Sequence, residues 1–162
     1  MITHIFAACL MMAAQTYQIP PQVLVGILHV EGGKVGQQVR NTNGTYDLGP
    51  MQINTLWTKP LAKEWGISRA SAKKIIRDDA CTNVNVAAWI FRKNLNETKS
   101  LSKAIAWYNS RTPHIGYKYR KKVLNAMRKK NLFPTLPTKQ ATKSIEETQK
   151  LAFVDKTPPI LE

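Results

Sequence analysis

The chain has 162 residues, 43% of them hydrophobic, which is enough for one domain with a core. Its 24 basic and 10 acidic side chains give a net charge of +14, which predicts attraction to a polyanion: nucleic acid, anionic lipid or an acidic cell-wall polymer. The three histidines and two cysteines lack metal-ligand spacing, so neither a metal nor any other cofactor is predicted.

Helical patterns follow one another along the chain. A first helix is predicted over about residues 4–17, although residues 5–14 also resemble a signal-peptide core with a cleavage point after Ala14; that stretch is too short to span a bilayer. A second covers 21–31, between two prolines and two glycines. Further helices are predicted over about 51–64, 69–78, 79–95, 102–108 and 116–130. Residues 32–49 predict a loop, and no segment shows the alternation of a strand, so the predicted class is all-α.

The composition changes at Pro134. Residues 134–162 are rich in Thr, Pro and Lys and poor in large apolar side chains, which predicts a disordered, flexible tail after a domain over residues 1–133. Four lysines in the tail cancel four acids, so the whole excess of positive charge belongs to the domain.

Glu31 is the first acidic residue of the chain, and it closes the apolar second helix. A carboxylate at a helix C-terminus faces the negative end of the helix dipole, and apolar surroundings disfavour its charged form. Both effects raise the pKa towards the range of a general acid at neutral pH. The alternative is a solvated helix end at which Glu31 pairs with Lys34 or Arg40, and this segment alone leaves both open.

Three further blocks follow Glu31 in a fixed order: Gly-Pro-Met-Gln-Ile-Asn at 49–54, Ala-Ile-Ala-Trp-Tyr-Asn at 104–109 and Tyr-Arg-Lys-Lys-Val-Leu at 119–124. Together with Glu31 they resemble the lytic transglycosylase domain of the goose-lysozyme-like superfamily. Residues 43–48 and 79–84 resemble its small members attached to type III and type IV secretion and conjugation systems. The resemblance spans roughly residues 5–127 and implies a lysozyme-like helical domain with a substrate groove.

The resemblance also implies roles for individual residues. Glu31 matches the catalytic acid, Tyr119 matches a tyrosine that hydrogen-bonds near its carboxyl, and Cys9 and Cys81 match a disulfide pair. The residues that it assigns to substrate binding are Met51, Gln52, Asn54, Tyr108, Asn109 and Tyr119. Pro50, Trp107, Ser110 and Gly32 depart from the family pattern without removing a functional group.

The implied reaction cleaves the β-1,4 bond between N-acetylmuramic acid and N-acetylglucosamine in peptidoglycan and leaves a 1,6-anhydro ring. One carboxyl group is enough for it, whereas most glycosidases use two. Asp47 is a possible second carboxylate, although capping a helix near Pro50 or fixing the loop is the favoured interpretation. The protein is expected in the periplasm or cell envelope, and the sequence does not determine its export route. It is expected to be a monomer whose tail contacts a secretion or conjugation machine.

Two other functions remain open. A muramidase would use Glu31 together with Asp47 and hydrolyse the bond. A non-catalytic domain would bind nucleic acid through the basic run at 118–130. In an enzyme, the same run would be a solvated helix face or would bind carboxylates of the cell wall. No strong helix-turn-helix signature supports nucleic-acid binding, so none is expected.

Overall fold

The computed structural model describes residues 4–132 and 158–160. Within these residues helices dominate, which confirms the all-α class. The helices are α1 (His4–Thr16), α2 (Pro21–Glu31), α3 (Thr58–Trp65), α4 (Arg69–Asp78), α5 (Ala80–Thr98), α6 (Leu101–Asn109) and α7 (Pro113–Lys129), with a 3₁₀ turn at Thr55–Trp57.

Helix α5 is the centre of the domain. Its first half is apolar on most sides, and residues 82–91 are buried. Asp79 starts the helix because its side chain accepts a hydrogen bond from the Thr82 amide. Helices α1, α4 and α6 pack around α5, and a disulfide between Cys9 and Cys81 joins α1 to its first turn, with 5.2 Å between the two Cα atoms. The cysteine pairing implied by the resemblance is therefore present.

Helices α2 and α7 form the second packing pair of the domain. Gly26 of α2 lies against Met127 and Val123 of α7, and a Cβ atom at position 26 would overlap the Met127 side chain. The absence of a side chain lets the two helices approach closely. This contact holds the C-terminal end of α2, which carries Glu31, beside the middle of α7.

Residues 38–54 contain a small antiparallel sheet that the sequence did not predict. Its strands are β1 (Gln38–Arg40), β2 (Tyr46–Leu48) and β3 (Ile53–Asn54), in the order β1-β2-β3. Strand β2 pairs Asp47 with Val39 on one side and with Asn54 on the other. The strands are too short to produce a recognisable alternation, so the region was predicted as a loop.

The helix predicted over 51–64 begins later than expected. Residues 53–57 form β3 and the 3₁₀ turn, and α3 starts only at Thr58. The next prediction is confirmed, because the Ser68 hydroxyl caps α4 by accepting a hydrogen bond from the Ser71 amide at 3.0 Å.

The predicted tail lies largely outside the described residues. Of its length, the structure describes 158–160, where Pro158 is buried and its carbonyl accepts a 2.6 Å hydrogen bond from the Trp65 indole nitrogen. The boundary near residue 133 stays a prediction. In the part of the chain that is described, no helix has both the length and the apolar character needed to cross a membrane.

Candidate active site

Glu31 is the last residue of α2, and Gly32 ends the helix in the left-handed region with φ 59°. The Tyr119 hydroxyl of α7 donates a 2.5 Å hydrogen bond to Glu31 Oε1. Burial raises the pKa of the Glu31 carboxyl to about 7; the Tyr119 hydrogen bond and the charge of Lys122 oppose this rise, and the charge of Asp47 adds to it. A carboxyl group with this pKa exchanges a proton near neutral pH.

The solvated alternative for Glu31 is not observed. Lys34 and Arg40 are exposed, and the two ion pairs in the described part of the chain are Arg77–Asp78 and Arg111–Glu97. Glu31 is partly buried, and its hydrogen-bond partner is a neutral hydroxyl.

Two tyrosines stand behind the carboxyl group. The rings of Tyr108 and Tyr119 stack with 6.4 Å between their centroids. The Tyr108 hydroxyl donates a 2.9 Å hydrogen bond to the Met51 carbonyl, and so ties α6 to the loop after β2. Burial raises the pKa of both phenols, with the nearby Glu31 carboxylate acting in the same direction, so both remain proton donors at any physiological pH.

The loop after β2 is fixed by Asn83, a fully buried residue of α5. Its side-chain amide donates to the carbonyls of Leu48 and Ile76, each at 2.9 Å, and its oxygen accepts from the Met51 amide at 2.8 Å. One side chain thus satisfies three backbone groups that water does not reach. Asn83 lies within the sequence block at 79–84, but nothing in that block predicted its role.

Gly33 brings the loop after Glu31 against the loop that carries Gln52. A Cβ atom at position 33 would overlap the Gly49 carbonyl oxygen and lie 2.5 Å from Gln52 Nε2. The same carbonyl accepts a 2.8 Å hydrogen bond from Gln52 Nε2, and Gln52 itself has a positive φ of 50°. Only glycine fits at position 33, so the approach of the two loops is built into the sequence.

Asp47 projects from β2 into the same groove as Glu31. Asn54 of β3 donates to Asp47 Oδ1 at 2.9 Å and to the Thr45 hydroxyl at 3.0 Å. Of the two structural roles favoured for Asp47, the helix cap is wrong, because no described helix begins near Pro50 and Asn54 caps the 3₁₀ turn by accepting from the Leu56 amide. The other, fixing the segment that was predicted as a loop, agrees with the hydrogen bond from Asn54.

The groove has a volume of about 260 Å³. Six predicted site residues line it: Glu31, Asp47, Gln52, Asn54, Tyr108 and Asn109. Two do not: Met51 is fully buried beneath the groove, so its assignment to substrate binding is corrected to core packing, and Tyr119 lies behind Glu31. Lining residues that sequence analysis missed are Asn41, Ile53, Trp57 and Ile90.

Trp57 is the most informative of the missed residues. Its ring is partly buried, lines the groove and meets Trp89 edge-on with 5.3 Å between centroids. Trp89 is buried in the core, whereas Trp57 packs against the core and leaves part of its ring open to the groove. Among the residues described, no cluster of His, Cys, Asp and Glu side chains is arranged to hold a metal ion.

The sequence of this chain is similar to one known protein family and to named bacterial proteins. The profile of the family described as "Transglycosylase SLT domain" matches residues 8–131. "Invasion protein IagB" of Salmonella typhimurium is 32% identical over 133 residues, which cover 79% of this chain and 80% of that protein, and the protein of the same name from Salmonella typhi matches equally.

Proposed function

Because the chain belongs to the transglycosylase SLT domain family, whose members cleave peptidoglycan, we propose that Glu31 alone serves as acid and then base in its reaction. The bond cleaved is the β-1,4 linkage between N-acetylmuramic acid and N-acetylglucosamine, and the product is a 1,6-anhydro-muramic end. The observation that carries this proposal is the partly buried Glu31 carboxyl, with its pKa of about 7, in a groove that amide side chains also line.

The first step needs a protonated acid. Glu31 donates its proton to the glycosidic oxygen while the bond from that oxygen to muramic C1 breaks, which leaves positive charge on the muramic ring. Below about pH 7 most of the Glu31 carboxyl groups hold the required proton. Tyr119 orients the carboxyl group through its hydrogen bond, and so limits the rotation of the donor oxygen.

The second step uses the same group as a base. The Glu31 carboxylate takes the proton of the muramic C6 hydroxyl as that oxygen bonds to C1 and closes the anhydro ring. The proton of the C6 hydroxyl therefore replaces the one given to the leaving sugar, and no water is consumed. Gln52, Asn54 and Asn109 provide donors and acceptors suited to the N-acetyl and hydroxyl groups of the glycan.

Asp47 acts through charge in this proposal. Its carboxylate raises the pKa of Glu31 and lies in the groove where positive charge develops on the sugar. Asp47 also supports the competing proposal, a muramidase, because a second carboxylate in the groove is what a hydrolase uses to activate water or to attack C1.

The products separate the two reactions. Purified protein is incubated with peptidoglycan sacculi in water enriched in ¹⁸O, and the soluble fragments are analysed by mass spectrometry. We expect anhydro-muropeptides without ¹⁸O. Reducing ends that carry ¹⁸O would instead assign the protein as a muramidase, and a protein that releases no fragments and binds duplex DNA would refute the enzymatic proposal.

The cellular role in this proposal is local opening of the cell wall for a secretion or conjugation machine, in the periplasm or cell envelope. The similar proteins named invasion proteins support this role, since invasion needs a passage through the envelope. Deleting the gene would then block transfer through the machine without changing cell shape, and complementation with Glu31→Gln would fail. Restored transfer with Glu31→Gln would refute a role that depends on cleavage.

A further inference from the structure

Three lysines of α7 lie on one side of the helix, and we call Lys118, Lys122 and Lys129 the lysine stripe. They are four and seven positions apart, a spacing that aligns side chains along one helix face, and all three are exposed. The buried side of α7 carries Tyr119, Val123 and Met127. The stripe therefore flanks the buried face and borders the side on which Tyr119 reaches Glu31.

The stripe begins beside the acid. Tyr119, which contacts Glu31, is next to Lys118 in sequence and one helical turn before Lys122. The positive charge of Lys122 acts on the Glu31 carboxyl and lowers its pKa, against the effect of burial. A cation at this position disfavours the protonated acid that the first step of the reaction needs.

Neither of the two ion pairs between described residues involves the stripe, and the acid on which the charge of Lys122 acts is Glu31 itself. Asp78 and Glu97 are paired with Arg77 and Arg111, and Asp79 caps α5. Helix α7 contains no acidic residue, and like charges four residues apart on a helix repel each other. Such a row of positive charges is destabilising until an anion binds to it.

We propose that the lysine stripe binds the carboxylates of the peptide stem carried by the N-acetylmuramic acid that is cleaved. The proposal rests on the proposed function, because it needs muramic acid beside Glu31. The stem branches from that sugar, so its carboxylates lie near the acid. From Lys118 to Lys129 the helix rises roughly 16 Å, about the length of an extended peptide of four or five residues.

A bound stem also offsets the cost of Lys122. Stem carboxylates neutralise the positive charge that acts on Glu31, so the substrate itself strengthens the protonation of the acid. The groups that face Glu31 in this balance are Tyr119 and Lys122 of α7, Tyr108 of α6 and Asp47 of β2.

The test compares two glycans that differ only in their stems. Intact glycan strands carry the peptides, and strands treated with an amidase do not. The measured quantity is the ratio of kcat/KM on intact strands to kcat/KM on stem-free strands. A substitution that changes the pKa of Glu31 in the free protein affects cleavage of both substrates, so this ratio reports only what the stem adds, through its binding and through the effect of its charge on Glu31.

We expect the wild-type ratio to exceed one and to fall at about 0.3 M salt, where exposed charges are screened. Each of Lys118→Glu, Lys122→Glu and Lys129→Glu should reduce the ratio roughly threefold, mainly through KM. The control is Lys121→Glu, the same charge change on the same helix, at a residue whose ammonium lies 5.7 Å from the Tyr117 ring centroid. It should leave the ratio unchanged.

The proposal fails if the stripe variants keep the wild-type ratio or if Lys121→Glu reduces it equally. A wild-type protein that cleaves neither glycan refutes the proposed function instead. A second measurement then still tests the stripe: calorimetry of Glu31→Gln with soluble muropeptides that carry or lack the stem. We expect tighter binding of the stem-bearing fragment, lost in Lys122→Glu, and equal binding of both fragments overturns the proposal.

Discussion

The two walls of the groove are built in different ways. On one wall, Glu31 ends a mostly buried helix, and its carboxyl meets one neutral hydroxyl. On the other, Asp47 lies on a short strand and accepts from an amide of the neighbouring strand. Two carboxyl groups in one groove therefore need not share a role, because the apolar wall raises the affinity of its acid for a proton, whereas the polar wall supplies fixed charge and amide groups.

Removing each carboxyl group is the strongest test of this division. Glu31→Gln keeps the size and the hydrogen bond to Tyr119 but cannot donate or take a proton, so activity should fall at least about a thousandfold. The matched variant Asp47→Asn should cost only about tenfold, since it removes a charge rather than the acid. Rates of sacculus digestion measure both, and equal losses would mean that the two carboxyl groups act as a pair.

Loosening the polar wall is expected to have the next largest effect. Asn83→Ala leaves the Met51 amide and the Leu48 and Ile76 carbonyls without the partner that Asn83 provides, which should cost about 3 kcal/mol of stability. Chemical denaturation measures this, and activity should fall with the displaced loop. The control is Asn94→Ala, at another buried asparagine in the second half of α5. A smaller loss in Asn83→Ala than in Asn94→Ala would contradict the importance of the three hydrogen bonds of Asn83.

The burial of Glu31 in the apolar wall should make the stability of the protein depend on pH. The folded protein holds the Glu31 proton up to about pH 7, whereas the unfolded chain releases it near the ordinary value of 4.5. The stabilisation is therefore fully present below about pH 4.5 and is lost as the pH rises through 7. Relative to wild type, the free energy of unfolding of Glu31→Gln should be about 2 kcal/mol higher at pH 8 and unchanged at pH 4. The value of about 2 kcal/mol already includes a reduction for the partial exposure of Glu31. An equal Tm difference at both pH values would refute this.

Tyr119→Phe gives the smallest expected effect and the most specific one. The hydroxyl orients Glu31 and lowers its pKa, so its loss should reduce kcat about tenfold and move the alkaline limb of the pH profile upward. Tyr108→Phe is the control, because the Tyr108 hydroxyl bonds the Met51 carbonyl and not Glu31. Its alkaline limb should move less, and identical shifts in the two variants would contradict a direct effect of Tyr119.

The position of Glu31 and the residues of the polar wall were predictable from sequence, but the strands and hydrogen bonds that build the polar wall were not. Glu31 sits at the end of an apolar run that is stopped by glycine, so local signals were enough to place it at a helix end. Asn83 bonds residues 32 and 35 positions away, and such long-range hydrogen bonds leave no local pattern. Trp57 could not be separated from core tryptophans, because composition does not tell which face of a ring is open.

A titration of Glu31 itself tests most directly whether the groove keeps this carboxyl group protonated near neutral pH. With glutamate labelled by ¹³C at the side-chain carboxyl, the Glu31 signal is identified as the one missing from the spectrum of Glu31→Gln, and its chemical shift is followed against pH. We expect a pKa of about 7. A midpoint near 4.5, the ordinary value, would mean that the groove does not hold the proton on Glu31 and would contradict its role as the acid.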